Sequence, residues 1–344
     1  MKRVSIAGGS GFVGGELCRW LLAHPQFELG QVTSQKNAGA PIASVHPHLR
    51  GRSMARFVKL EELAPCDVLV LALPHGHAAR EFARLEALAP VIVDCSADFR
   101  LRDGAAYERW YGEVHPRPEL LDAFVYGLPE LTRETLRGAT RISGVGCNAT
   151  AATLALLPLE RAVLLSRDHP VVVDVKVGSS EGGASASASS HHPLRSGCVR
   201  SYAPVGHRHT AEIEQAFGGL EVHLSITAVE LVRGALATCH VRVPRGLAER
   251  DLLRAYQQFA DGEPFVDFVH ERRGLFRAPE PKLVAGTNRA QLGFALDSER
   301  GRVVSLCAID NLGKGAAGSA VQALNLACGL EETAGLEAFA LHPS

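Results

Sequence analysis

Two hydrophobic rhythms divide the chain. In the first part, RVSIAG (3–8), LGQVTS (29–34), DVLVLALP (67–74) and VIVDCS (91–96) are short, strand-like runs. Continuous apolar runs such as 67–74 are typical of strands buried on both faces. Between them a helical pattern runs from Phe12 to Leu22, and HAAREFARLEALA (77–89) is apolar on one helical face only. Strands alternating with helices predict a parallel sheet joined by right-handed crossovers.

After residue 160 the rhythm changes. HPVVVDVKVGSS (169–180), EVHLSITAVEL (221–231), GALATCHVRV (234–243) and QLGFALD (291–297) are strands with few helices between them. Apolar–polar alternation in several of them predicts a mostly antiparallel sheet with one wetter face. VVSLCAIDNLGKG (303–315) returns to a buried strand and a turn, and AAGSAVQALNLACGL forms a last helix that rejoins the first domain. The fold class is therefore α/β, a Rossmann-type parallel-sheet domain with an inserted α+β domain. The expected division is 1–147 plus 312–344 for the first domain and 148–311 for the second. Residues 179–190, SSEGGASASASS, have the composition of a flexible linker. Their place before a His/Arg-rich segment makes an active-site loop an equal reading.

Composition narrows the function. The chain has 344 residues, with 36 lysines and arginines against 37 aspartates and glutamates. That balance argues against nucleic acid or a membrane surface as the main partner. No apolar run has transmembrane length, and MKRVSIAGG enters a strand without a secretory signal, so a cytoplasmic protein is expected. The eight cysteines include no C-x-x-C pair, which removes metal-ribbon and disulfide-framework readings. Cys66, Cys95, Cys239 and Cys307 lie in or beside strands and read as small core residues.

Cys147 has other surroundings. In RISGVGCNATAATLALLPL (141–159) it stands between a glycine turn and the start of a helix that runs to Pro158, with Asn148 and Thr150 as candidate caps. Unpaired amides and the helix dipole at such a terminus favour the thiolate. YAPVGHRHTAEIEQAF (202–217) supplies two histidines, His207 and His209, before a helical pattern. A cysteine with a base distant in sequence suits thioester chemistry at a carbonyl.

The first turn supplies the redox partner. IAGGSGFVGGEL (6–17) follows a strand and opens a helix, with Gly8, Gly11 and Gly14 in a variant of the dinucleotide spacing. There the backbone can approach a pyrophosphate and the helix N-terminus can bind it. Gly8, Ser10, Gly11, Phe12 and Val13 are the candidate contacts. The second strand ends VTSQK with no carboxylate before Glu61, so Ser34, Gln35 and Lys36 point to a 2′-phosphate and hence NADP.

Taken in order, GGSGFVGGEL, LALPHG, DCSADFRL, YGLPEL, GVGCNATAATLALLPL, GHRHTAEI and DNLGKGAAGSAVQALN resemble the N-acetyl-glutamyl-phosphate reductase family over almost the whole chain. The resemblance implies a phosphorylating semialdehyde dehydrogenase that assembles as a dimer or tetramer. It makes Cys147 the nucleophile, His209 the acid/base and His207 a second histidine nearer the nicotinamide, and it brings Asn311 of DNLGKG to the cofactor. The chain departs from the arginine-pathway pattern in reading VGCNAT for PGCYPT, and EGGASASASSHHPLRSGCVRSY in place of a shorter loop. Both changes resemble the branch that reduces aminoadipyl phosphate held on a small acidic amino-group carrier protein (LysW) in lysine biosynthesis. Arg195, Arg200, Arg208, Arg272 and Arg273 are then candidates to meet that carrier. The alternatives are the free N-acetyl-glutamyl-phosphate reductase, an aspartate-semialdehyde dehydrogenase and a non-catalytic NADP-binding regulator.

Overall fold

The computed structural model describes residues 1–343; Ser344, the end of the segment expected to rejoin the first domain, lies outside them. The chain divides into two compact units. The first holds Met1–Val145, Gly183–Ser185 and Ala316–Glu337; the second holds Gly146–Gly182, Ala186–Gly315 and the residues from Ala338 onward.

In the first unit seven strands form one sheet: β1 (Lys2–Ala7), β2 (Phe27–Thr33), β3 (Phe57–Val58), β4 (Val68–Leu71), β5 (Val91–Asp94), β6 (Val125–Tyr126) and β7 (Arg141–Ser143). Their spatial order is β3-β2-β1-β4-β5-β7-β6, and every pairing is parallel. Val68, Leu69, Val70 and Leu71 are all buried, as a strand covered on both faces requires. From β1 the order runs outward one way through β2 and the other through β4. That reversal is the switch point at whose carboxyl edge open α/β sheets bind ligands, and the glycine turn follows β1 there.

The second unit holds another seven-stranded sheet: β8 (Val171–Val177), β9 (Arg200–Ala203), β10 (Val222–Ala228), β11 (Ala235–Arg242), β12 (Val266–Phe268), β13 (Ala290–Asp297) and β14 (Arg302–Ile309). The order is β12-β13-β14-β11-β8-β10-β9. The β8–β10 and β12–β13 pairs are parallel and the others antiparallel. Along β8, Val171, Val173, Val175 and Val177 are buried while the residues between them are half-buried or exposed, which is the one-sided pattern read from the sequence. The helix Cys147–Arg161 lies on the buried face, with Asn148 through Leu159 all inside. Ser305 of β14 donates to the carbonyl of Ala155 at 2.6 Å, and Tyr256 donates to Ser305 at 2.6 Å, pinning helix to sheet.

Three local expectations change. The cysteine helix continues through Pro158 to Arg161. The proline forfeits one backbone bond, while burial of Leu154, Leu156, Leu157 and Leu159 (about 1.5–3 kcal/mol each for a fully buried leucine) holds the last turn in place. Asn148 and Thr150 do not cap: Gly146 is the cap residue with no side-chain cap, and the Thr150 hydroxyl donates back to the Gly146 carbonyl at 3.0 Å. The helix Glu249–Asp261 and strands β9 and β12 add elements that the second-half pattern did not separate. No helix among the described residues is long and apolar enough to cross a membrane.

Candidate active site

The glycine turn is stitched to the end of β2. Gly8 N–H donates to Thr33 Oγ1 at 2.9 Å and Gly9 N–H to the Thr33 carbonyl at 2.8 Å. Gly8 has φ +85°, and a Cβ there would lie 2.5 Å from the Ala72 carbonyl, so only glycine fits. A Cβ at Gly11 would meet nothing within 4 Å. Gly11 caps the helix Phe12–Ala23 with no side-chain cap, which leaves first-turn amides available to an anion. Buried His46 adds support that the sequence did not reveal, its Nε2 lying 2.8 Å from the Gly9 carbonyl.

At the end of β2, Ser34 is buried and its hydroxyl bonds that of Ser10 at 3.0 Å. Lys36 is exposed. Glu61 reaches back to Gln35, whose Nε2 donates to it at 3.0 Å, so a carboxylate stands beside this strand end in space although none does in sequence. The open turn, the uncapped helix and Lys36 together suit a dinucleotide.

In the second unit Cys147 is the first residue of its helix, half-buried and outside any disulfide. Gly315 crosses directly over it: a Cβ at Gly315 would sit 2.8 Å from that of Cys147. By contrast Cys239 and Cys307 are fully buried in strands, and burial pushes the Cys239 thiol far up. Cys66 and Cys95 are only half-buried by exposed area, although burial raises the Cys95 thiol to about 12.

The H-R-H segment supplies two unlike histidines. His207 Nδ1 accepts the backbone N–H of His209 at 3.2 Å. Burial first, then the Arg208 charge, lower its pKa to about 4, so it is neutral at pH 7. His209 begins the helix His209–Ala216 and is buried, with Nε2 3.7 Å from Glu212 Oε1. The other oxygen of Glu212 accepts the Gly146 N–H at 3.0 Å. One buried carboxylate thus ties His209 to the backbone just ahead of Cys147. Glu212 was missed from the sequence, where its signal was an acid three residues after His209 on a helix.

Glu181, on the turn Ser179–Gly182, lies beside the same helix start. It accepts from Asn148 Nδ2 at 3.1 Å and from the Tyr202 hydroxyl at 2.5 Å. This end of the 179–190 stretch is packed structure rather than linker.

The DNLGKG turn is held by buried Asp310. Its Oδ1 accepts the N–H groups of Leu312 and Gly313, and its Oδ2 accepts Arg233 Nε at 2.8 Å and Gly286 N–H at 2.5 Å. Asn311 follows it on the same turn. It is 2% exposed, its Oδ1 accepts the Gly234 N–H at 2.7 Å and its Nδ2 donates to Ser180 Oγ at 2.9 Å. Its amide thus bonds two residues of the second unit, Ser180 and Gly234.

The arginines also separate. Arg195 is half-buried and donates to the carbonyls of Val177 and Val229, at 3.3 and 2.7 Å. Arg200 is exposed and donates to the Leu194 carbonyl at 2.7 Å. Arg208, Arg272 and Arg273 are exposed.

Comparison with known proteins agrees with this architecture. Residues 3–139 match the semialdehyde dehydrogenase NAD-binding domain, and 147–311 match the semialdehyde dehydrogenase dimerisation domain. The chain is 50% identical over 344 residues to a LysW-L-2-aminoadipate 6-phosphate reductase of Deinococcus radiodurans, covering 100% of this chain and 99% of the relative. It is 43% identical to a LysW-L-2-aminoadipate/LysW-L-glutamate phosphate reductase of Saccharolobus solfataricus, covering 99% of each. Among solved structures, aspartate semialdehyde dehydrogenase II of Vibrio cholerae has the same fold, with TM-score 0.73 at 15% identity over 96% of this chain and 98% of that one. The first unit is thus an NAD(P)-binding domain, the second carries Cys147 and the Glu212-paired His209 at the starts of two helices, and the chain belongs to the semialdehyde dehydrogenase family, in the group of phosphate reductases that these relatives represent.

Proposed function

We propose that this chain reduces the 6-phosphate of carrier-linked 2-aminoadipate to the semialdehyde, with NADPH and release of phosphate, through a thioester on Cys147. The observation that carries the reading is the start of the cysteine helix, where Glu212 binds the Gly146 N–H and pairs with His209. The substrate comes from the relatives, whose names carry the LysW-linked aminoadipate phosphate. A carrier-linked glutamyl phosphate is a second reading, favoured by the double name of the Saccharolobus relative.

The residues divide the work. The uncapped helix start favours the Cys147 thiolate, and His209, with Glu212 behind it, takes up the thiol proton. Sγ attacks the acyl carbonyl, the carbon–oxygen bond to phosphate breaks, and phosphate leaves with the electron pair. First-turn amides stabilise the oxyanion. A bound nicotinamide cofactor supplies the hydride that reduces the thioester carbonyl. The carbon–Sγ bond then breaks, the aldehyde forms, and His209 returns the proton to Cys147. Neutral His207 orders the segment and leaves proton transfer to His209.

Gly8, Ser10, Gly11, Phe12 and Val13 hold the dinucleotide in this reading, with Ser34 and Lys36 receiving a 2′-phosphate. The first unit serves the cofactor, and the second, which carries Cys147, serves the acyl group and the contacts of a homo-oligomer. The exposed Arg200, Arg208, Arg272 and Arg273 receive the acidic carrier, whereas Arg195 braces strand ends. The test is phosphate-dependent NADP reduction with carrier-linked aminoadipate semialdehyde against free N-acetyl-glutamate semialdehyde. The reading expects the carrier-linked aldehyde to have the higher kcat/KM; the reverse order returns the chain to the arginine-pathway chemistry.

A further inference from the structure

Glu181 has no part in the scheme above, yet it is hydrogen-bonded to the residue that follows Cys147. Its two oxygens are engaged from two different stretches of chain, Oε2 by Asn148 Nδ2 and Oε1 by the Tyr202 hydroxyl. Asn148 directly follows Cys147 and is fully buried. The bond to Glu181 is its one side-chain hydrogen bond among the described residues, and Asn148 Oδ1 is buried without a partner there. The carboxylate therefore fixes that side chain almost alone. Tyr202 stands on β9, and its hydroxyl pKa is driven up by burial, then by Glu181, with Cys147 adding in the same direction. Both partners of Glu181 thus bear on the reactive cysteine, one through the helix and one through its field.

The chemistry of residue 181 matters because both partners are donors. A carboxylate offers two acceptor oxygens, whereas an amide offers one acceptor and brings two donors of its own. Burial raises the Glu181 pKa, and the opposing pull comes from the hydrogen bonds of Tyr202 and Asn148, then from the charges of Arg195 and Arg208. A half-buried acid bonded by two donors is an arrangement for holding something in place.

We propose that Glu181 is a positioning residue for acyl transfer, holding Tyr202 and the Asn148 that follows Cys147 so that the thiol meets the acyl carbonyl in one geometry. This rests on Cys147 being the nucleophile. Glu181→Gln has the same shape and keeps a single acceptor, so it breaks one of the two bonds while leaving the packing intact.

The test is a double-mutant cycle on kcat/KM for the acyl phosphate, with NADPH affinity and melting temperature measured on the same proteins. E181Q is made in the wild-type chain and in an N148A/Y202F background. The expected loss is about tenfold in the wild-type chain, carried mainly in kcat, and less than about twofold in the background that lacks both partners. The NADPH Kd stays within about twofold throughout, since no link to the glycine turn is involved. An equal loss in both backgrounds overturns the proposal, as does wild-type kcat/KM in E181Q. A loss that tracks a fall in melting temperature and a rise in NADPH Kd also overturns it, by showing general loosening. Retained turnover in C147S would instead defeat the thioester reading itself, so the two failures are distinguishable.

Discussion

The glycine turn of the first unit and the cysteine turn of the second begin alike. Each ends in a glycine cap with no side-chain cap, Gly11 in one and Gly146 in the other, and each leaves a helix start open to negative charge. They differ in what surrounds that opening. Around Gly8 and Gly11 the polar contacts run largely through the backbone, and recognition needs close approach rather than a reactive group. At the start of the Cys147 helix are two sets of paired side chains, buried His209 with Glu212, which bonds the Gly146 N–H, and Asn148 with Glu181 and Tyr202. The same local device carries titratable side chains paired beside it in the second turn, whereas the first is supported by the hydroxyls of Thr33, Ser10 and Ser34 and by His46.

Changes at either turn should therefore give different signatures. The largest effect is expected at His209. H209N should lower kcat by roughly 10²–10⁴-fold, the range for a group that moves a proton in the transition state, with NADPH affinity retained. H207N should lose far less, because a histidine whose pKa is lowered to about 4 is a weak base for the thiol proton. Steady-state kinetics on both variants decide it, and the reverse order would exchange their roles.

His207 should declare itself in stability instead. The unfolded chain protonates this group near pH 6.5 and the folded chain near 4, so between those values the unfolded state binds more protons. Its contribution is therefore present above pH 6.5 and is lost as pH falls through that window. The total is up to about 3 kcal/mol, from the roughly 1.4 kcal/mol that a tenfold change in proton affinity represents. Denaturation of wild type and H207Q at pH 7 and pH 4.5 should show the wild type losing more stability over that interval; parallel losses would contradict the assignment.

A smaller effect belongs to the first turn. K36E should weaken NADPH binding about fivefold or more while changing NADH little, because an exposed charge acts mainly on the partner it faces. Titration with both cofactors measures this. Equal losses would show that Lys36 does not read a 2′-phosphate and would turn attention to Glu61, which stands beside the same strand end.

The contrast between the turns also explains what could be read from the sequence. Glycine spacing after a buried strand is local, so the first turn, its strand and its helix were legible, with the helix observed over Phe12–Ala23. Cys147 and the H-R-H segment were legible for the same reason. Glu212 was visible only as an acid one helical turn beyond His209, and its bond to Gly146 spans 66 residues. Glu181 was hidden in a run of small residues that reads equally as linker, and Tyr202 carried no signal. Asn148 and Glu181 come from the two stretches where the chain departs from the arginine-pathway pattern, and they meet as one hydrogen-bonded pair. For Asn311 the motif gave the turn but not the side-chain partners, which are Ser180 and Gly234.

Everything assigned to the second turn depends on a covalent bond at Cys147. The direct measurement is to mix the enzyme with carrier-linked aminoadipyl phosphate in the absence of nicotinamide cofactor, then determine phosphate release and the mass of the protein. The account predicts one phosphate released per active site, an acyl adduct confined to the peptide that contains Cys147, and neither in C147S. No burst of phosphate, or an adduct that persists in C147S, would contradict it.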